Sequence, residues 1–214
     1  MFAAAWQYLL AHPTAFAQAL AVHVALSASA LLIAAGIAIP AAIAANRRPA
    51  WSVALTQSAN IGRTLPSLAV LALVMPLLGT GFAPSLLALT LLALPPIVQN
   101  TLAGLRSVEP DVVDAAQGMG MTRGEVMRRI ELPIALPALF AGLRTAAVQV
   151  ISGAVLAAFI GGGGLGDFIT AGIAMMAVPQ LLVGAIPVTL LALGVDAAFG
   201  VLQRRLTSDG MRAG

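Results

Sequence analysis

Five long apolar runs divide this chain, at roughly residues 20–45, 51–78, 84–105, 134–160 and 179–202. A helix needs about 20 predominantly apolar residues to cross the hydrocarbon of a bilayer, and each run is long enough. Only 9% of the 214 residues are charged, and mean hydropathy is +0.98. A soluble domain carries about 25% charge, so this chain has too little to solvate a globular surface. The expected fold class is therefore all-α: a polytopic membrane protein with five transmembrane helices. The second run is polar in its first half.

The basic residues sort by side. All 11 are arginine. Arg47 and Arg48 follow the first run. Arg106, Arg123, Arg128 and Arg129 lie between the third and fourth, and Arg204, Arg205 and Arg212 follow the fifth. Segments 1–19, 79–83 and 161–178 contain none. Five crossings put these nine arginines on one face, which the positive-inside rule makes cytoplasmic. The expected layout is an extracytoplasmic segment 1–19, a transmembrane domain 20–206 and a cytoplasmic tail 207–214. The N-terminus is then outside and the C-terminus inside. In a soluble protein a pI near 11 suggests nucleic acid. Here the arginines orient the chain, the partner is lipid, and no nucleic acid is expected. Residues 1–19 lack the positive start of a secretory signal. They suit a short interfacial helix with Phe2, Trp6 and Tyr8 near the headgroups.

The absence of cysteine excludes disulfides and thiolate metal sites. His12 and His23 stand apart from any cluster, so no metal site is expected and His23 reads as structural. No internal repeat is visible, and five spans do not divide into two inverted halves. A chain that dimerises is the simpler way to line a path.

The one long charged segment is 107–133, SVEPDVVDAAQGMGMTRGEVMRRIELP. Pro110 suits a first helical position, and Asp111 and Asp114 fall in the first turns, where the dipole favours anions. Gly118 and Gly120 can end that helix. Thr122 and Glu125 have the T-x-x-E spacing of a capping box and start a second helix. Arg128 and Arg129 near its end suit the dipole, and Pro133 marks a turn into the fourth span. The expectation is a cytoplasmic helix–bend–helix, with small residues Ala115 and Ala116 flanked by Val112, Val113, Met119 and Met121. Methionines adapt to an irregular partner surface. A solvated loop with incidental helix is the alternative on these grounds.

The spacing from Asp114 to Pro133 resembles the EAA loop of ABC importer permeases, E-A-A-x3-G-x9-I-x-L-P. This chain has Asp114, Ala115, Ala116, Gly120, Ile130, Leu132 and Pro133 at the fixed positions, with Asp for the family's Glu. The resemblance implies that the first short helix enters a groove of an ATP-binding subunit. Ala115 and Ala116 would lie in the groove, Gly120 would allow the bend, and Leu132 and Pro133 would anchor the loop. The segments ANIGRTLPSLAVLALVMPLLGTG and AGLRTAAVQVISGAVLAAFIGGGGLGDFI resemble osmoprotectant permeases of the methionine-importer-like type I fold. That likeness implies import of glycine betaine, carnitine, choline or another small polar solute across a bacterial inner membrane. It also implies an extracytoplasmic substrate-binding protein and a second permease copy or sister permease.

No lysine is present, so the P-loop G-x-x-x-x-G-K-[ST] is missing. The chain is expected to be no enzyme and to bind no cofactor, with ATP and Mg used by the partner ATPase. Gly161, Gly163 and Gly166 satisfy G-x-G-x-x-G, but no βαβ unit surrounds them. Gly161, Gly162, Gly163, Gly164 and Gly166 instead suggest a tight turn at the outer mouth.

Ionisable groups at membrane depth are costly and should pair or face the bundle interior. Arg144 and Asp196 fall at comparable depths and are candidates for an ion pair between the fourth and fifth spans. The alternative has Asp196 facing cytoplasmic water. Gln57, Asn60, Arg63 and Thr64 form one helical stripe on the second span. With Gln99 and Asn100 they are candidates for a water-lined path, or for hydrogen bonding between helices. Pro66, Pro76, Pro95, Pro96 and Pro187 can kink spans. An ATP-independent carrier or channel and a non-transporting scaffold are the readings from other classes.

Overall fold

A computed structural model describes residues 1–206. Arg212 and the tail 207–214 lie outside the described residues. The elements are α1 (Phe2–Ala11), α2 (Pro13–Asn46), α3 (Pro49–Thr64), α4 (Ser67–Leu78), α5 (Phe82–Arg106), α6 (Pro110–Gly118) and α7 (Arg123–Val126). A π turn (Met127–Glu131), α8 (Leu132–Gly153), a 3-10 segment (Ala154–Ile160), α9 (Gly166–Ala174) and α10 (Val178–Leu206) follow. The described residues contain no strand.

Helix α5 is the axis of the bundle, with α2, α3, α4 and α8 packed around it. Lipid supplies no hydrophobic drive between helices, so close packing must hold them. The sequence provides it with small residues. Ala30, Ala34, Ala38 and Ala42 recur every fourth position on α2 and are at most 1% exposed, in one cluster with Ala88 and Ala93 of α5. On the other side α5 meets α8 through glycines. A Cβ on Gly104 would stand 2.9 Å from the Ala135 carbonyl oxygen, and one on Gly142 would stand 2.7 Å from the Asn100 Cβ.

The bundle has two distinct ends. At the arginine end, Arg106 Nη2 donates to Ser52 Oγ at 2.6 Å. There Leu105, Met127 and Ala135 form a cluster with Ile43 and Leu132 packed on it. At the glycine end, the Gly81 N–H donates to the Ile160 carbonyl at 2.7 Å.

Four helical stretches are each long and apolar enough to cross a membrane. The second run is not the single helix expected over 51–78. It breaks between Thr64 and Ser67, and the halves are bent by 98°. Pro66 has no N–H to donate and drives Leu65 out of the helical region, to φ −71° and ψ 124°. The pair still joins the two ends: Ser52 on α3 bonds Arg106 at one, and Gly81, just past α4, bonds Ile160 at the other. Counted as one broken span, the pair brings the candidate crossings from four to five.

Three further expectations change. The first helix begins at Pro13 rather than near residue 20, with proline at its start where the missing N–H costs nothing. Pro133 makes no turn. Helix continues from Arg123 to Ile160, and the winding widens to π just before the proline, where Leu132 N–H donates five residues back to Met127. The wider turn accommodates a ring that an α-helix would clash with. Arg128 and Arg129 therefore sit mid-helix, not at a helix end. Segment 161–178 holds a whole helix, α9, in addition to glycine turns.

Candidate docking element and polar linings

At the arginine end, α6 and α7 project from the bundle as a helix–bend–helix. Gly120 has φ +90°, and a Cβ there would meet nothing within 4 Å, so its requirement is conformational. The Met121 N–H donates to Ala116 at 3.1 Å and the Gly120 N–H to Gln117 at 2.9 Å, closing the carbonyls of α6. Gly118 stays in the helix with ordinary φ. Thr122 and Glu125 form a complete capping box: Thr122 N–H donates to Glu125 Oε2 at 2.9 Å, and Glu125 N–H to Thr122 Oγ1 at 3.3 Å. The Thr122 donors hold the Glu125 carboxyl below the usual carboxylate range.

The structure separates the two alanines. Ala115 is exposed, whereas Ala116 is 1% exposed and packs inside the chain. Adjacent residues lie about 100° apart on a helix and cannot share a face. The open surface of α6 carries Asp114 and Ala115 with Val112, and Met119 beyond its end is 77% exposed. Ile130 lies in the π turn, half-buried, and Leu132 packs on the Leu105 cluster. Pro133 occupies the first turn of α8.

Inside the span region two polar groupings appear. In the first, Arg63 Nη1 donates to Gln99 Oε1 at 2.8 Å and Gln99 Nε2 donates to Asn60 Oδ1 at 2.7 Å. This ties α3 to α5. Thr64 bonds its own helix at Ile61, and Gln57 is exposed. Asn100 turns the other way, under Gly142 of α8, and donates to Pro96. In the second grouping, Arg144 Nε and Nη2 donate to the two carboxylate oxygens of Asp196 at 2.5 and 2.6 Å, a bidentate pair joining α8 to α10. The pair borders an open cleft of about 580 Å³ that Thr145, Gln149 and Ser152 also line. The sequence reading missed these three, though their i, i+4, i+7 spacing is the signal that marked α3.

At the glycine end, Gly161, Gly163 and Gly164 have φ of +71°, +76° and +96°. Gly162 and Gly166 have ordinary φ and serve close approach, to Ser85 and to the Val155 carbonyl. His23 is buried beneath this turn. Its Nε2 donates to the Ile151 carbonyl at 3.1 Å, just before α8 tightens into the 3-10 segment.

A helical bundle of four to five candidate spans, with a helix–bend–helix at the arginine end, has the methionine-importer-like permease fold. The likeness to a solved chain of the MetNI methionine ABC transporter, in an inward-facing conformation, has a TM-score of 0.78 over 91% of this chain and 97% of that one, at 18% identity. The chain belongs to the family of binding-protein-dependent transport system inner membrane components, which residues 34–208 match. These are multi-pass permease subunits of ABC transporters and are not themselves enzymes. Among its relatives is the choline transport system permease protein OpuBB of Bacillus subtilis, 40% identical over 89% of this chain and 88% of the relative. The carnitine transport permease protein OpuCB of Listeria monocytogenes is 40% identical over 89% and 87%. The osmoprotectant import permease protein OsmY of Salmonella typhimurium is 40% identical over 86% and 79%.

Proposed function

We propose that this chain is the permease subunit of an ATP-driven importer for a small osmoprotectant such as glycine betaine, carnitine or choline. The observation that carries the ATP-driven part is the projecting α6–Gly120–α7 element, with its Asp114-to-Pro133 spacing. The substrate class is supported by the names of relatives at 40% identity.

In this reading the arginine end is cytoplasmic and the glycine end faces outward. An ATP-binding subunit receives α6, which offers Asp114, Ala115 and Met119. Ala116 acts from inside by holding α6 against the turn, and Ile130, Leu132 and Pro133 join the element to α8. That partner binds and hydrolyses ATP with Mg. A substrate-binding protein meets the turn Gly161–Gly164 and Gly166, and a second copy or sister permease completes the path. The polar residues of α3 and α5 (Gln57, Asn60, Arg63, Thr64, Gln99 and Asn100) belong to that path. Residues 1–19 are extracytoplasmic and 207–214 cytoplasmic.

Reconstitution in liposomes with the ATPase subunit and the binding protein tests the proposal. Uptake of glycine betaine is expected only with ATP and a hydrolysis-competent ATPase. Uptake without that subunit would overturn the reading.

A further inference from the structure

The open face of α8 differs from every other open face in the bundle. Helix α2 exposes Leu32 and Ile37, α4 exposes Leu73 and Leu77, and α10 exposes Leu190 and Leu193. These suit lipid. Among the described residues α8 exposes no large apolar side chain at all. Its exposed residues within the span are Thr145, Gln149 and Ser152. Thr145 bonds its own helix at Ala141, while the side chains of Gln149 and Ser152 have no hydrogen-bond partner among the described residues. Polar groups turned to hydrocarbon with nothing to bond are costly, so this face meets water or another polar surface.

The ion pair beside it makes the same point. Arg144 stands about 18 Å along α8 from Leu132, and Asp196 about 15 Å from the end of α10, near mid-membrane. Yet their side chains are 40% and 38% exposed. A pair buried merely to join two helices would be closed over. This one opens onto the cleft of about 580 Å³, large enough for a small solute with water. Six of its eight lining residues are polar or charged, with Ala141 and Val148 between them; it lacks aromatic rings, and its one positive and one negative charge are tied to each other.

We propose that the α8 face of Thr145, Gln149 and Ser152, with the Arg144–Asp196 pair, is a wall of the translocation path, matched to a zwitterionic solute. The inference rests on the reading of the chain as an importer permease. A solute carrying a carboxylate and a cationic nitrogen can exchange partners with the pair, carboxylate to Arg144 and nitrogen to Asp196, leaving no net charge uncompensated. A lone cation gains from Asp196 but meets Arg144.

The native chain has no cysteine, so single-cysteine variants at 145, 149 and 152 report only on the introduced thiol. In the assembled transporter with its ATPase subunit and binding protein, a membrane-impermeant thiol reagent should label these positions. The labelling rate should change at least several-fold between nucleotide-free and ATP-trapped states. Cysteines replacing Leu190 and Leu193 should stay unlabelled. Arg144→Gln should raise the ratio of choline to glycine betaine uptake about ten-fold, and Asp196→Asn should lower it. Labelling at 149 no greater than at 193, a disulfide joining residue 149 of two copies without labelling, or an unchanged uptake ratio in both charge variants would each overturn the proposal. The labelling arm stands even where a charge variant does not assemble. Uptake independent of the ATPase would instead sink the importer reading and leave the labelling result standing.

Discussion

Gly118 and Gly120 stand two residues apart and do opposite things. Gly118 is helical and loses conformational entropy for no visible gain. Gly120 reverses the chain at φ +90°, where a side chain is strained whatever the space around it. Replacing Gly118 with Ala is expected to stabilise α6 by up to about 1 kcal/mol. Gly120→Ala is expected to destabilise the bend by about 1–2 kcal/mol. Hydrogen exchange over 110–126 reads both signs. Recovery of the ATPase subunit with the solubilised chain should fall for Gly120→Ala alone. Glu125 supplies a pH test. Its native pKa is lowered by the Thr122 donors. The capping box therefore contributes fully above the ordinary glutamate pKa of about 4.3 and is lost as pH falls through the lower native value. Exchange protection at 122–126 should drop across that acid window. The pH-independent acceptor in Glu125→Gln should remove the dependence. At this scale the sequence was informative, because a capping box is local chemistry. It could not separate Ala115 from Ala116, since which of two adjacent alanines faces inward depends on where Met121 folds back.

Among the elements, the broken span is the clearest case for experiment. Val53 on α3 and Leu77 on α4 are both exposed and can carry spin labels. With the 98° bend their separation is about 24 Å, and a straight helix over the same residues would span about 36 Å. Pro66→Ala should move the pulsed-EPR distance toward the longer value. An unchanged distance would mean that packing against α5, not the proline, sets the bend. The five apolar runs were legible because length and composition alone decide a membrane helix. The break was not. Pro66 looks no different in sequence from Pro95 and Pro96, which stay inside α5, buried among its neighbours. What separates them is the packing that holds the helix on both sides of the ring, a tertiary property. The π turn before Pro133 and the helix α9 escaped for the same reason. Of the polar residues, the Arg144–Asp196 juxtaposition could be anticipated from depth alone, whereas the i, i+4, i+7 stripe of Thr145, Gln149 and Ser152 is made of mild side chains and gains weight only from its exposure on an otherwise covered helix.

For the whole molecule, the sidedness of charge is the organising fact. Arg47, Arg48, Arg106, Arg123, Arg128, Arg129, Arg204 and Arg205 lie at one end, and the glycine turns at the other. A reporter fused after Arg205 should be protected from external protease in right-side-out vesicles, and one fused before Phe2 should be cleaved. The reverse pattern would place α6 on the side without ATP. The uninterrupted helix from Arg123 to Ile160 then acquires a mechanical meaning. Its 38 residues make a rod about 57 Å long, rooted beside α6 and reaching the far face of the membrane. A tilt of about 5° imposed at the foot would carry the tip sideways by roughly 5 Å, the pitch of one helical turn. Leverage of this kind lets a small displacement at one surface be felt at the other without any relay of side chains between them.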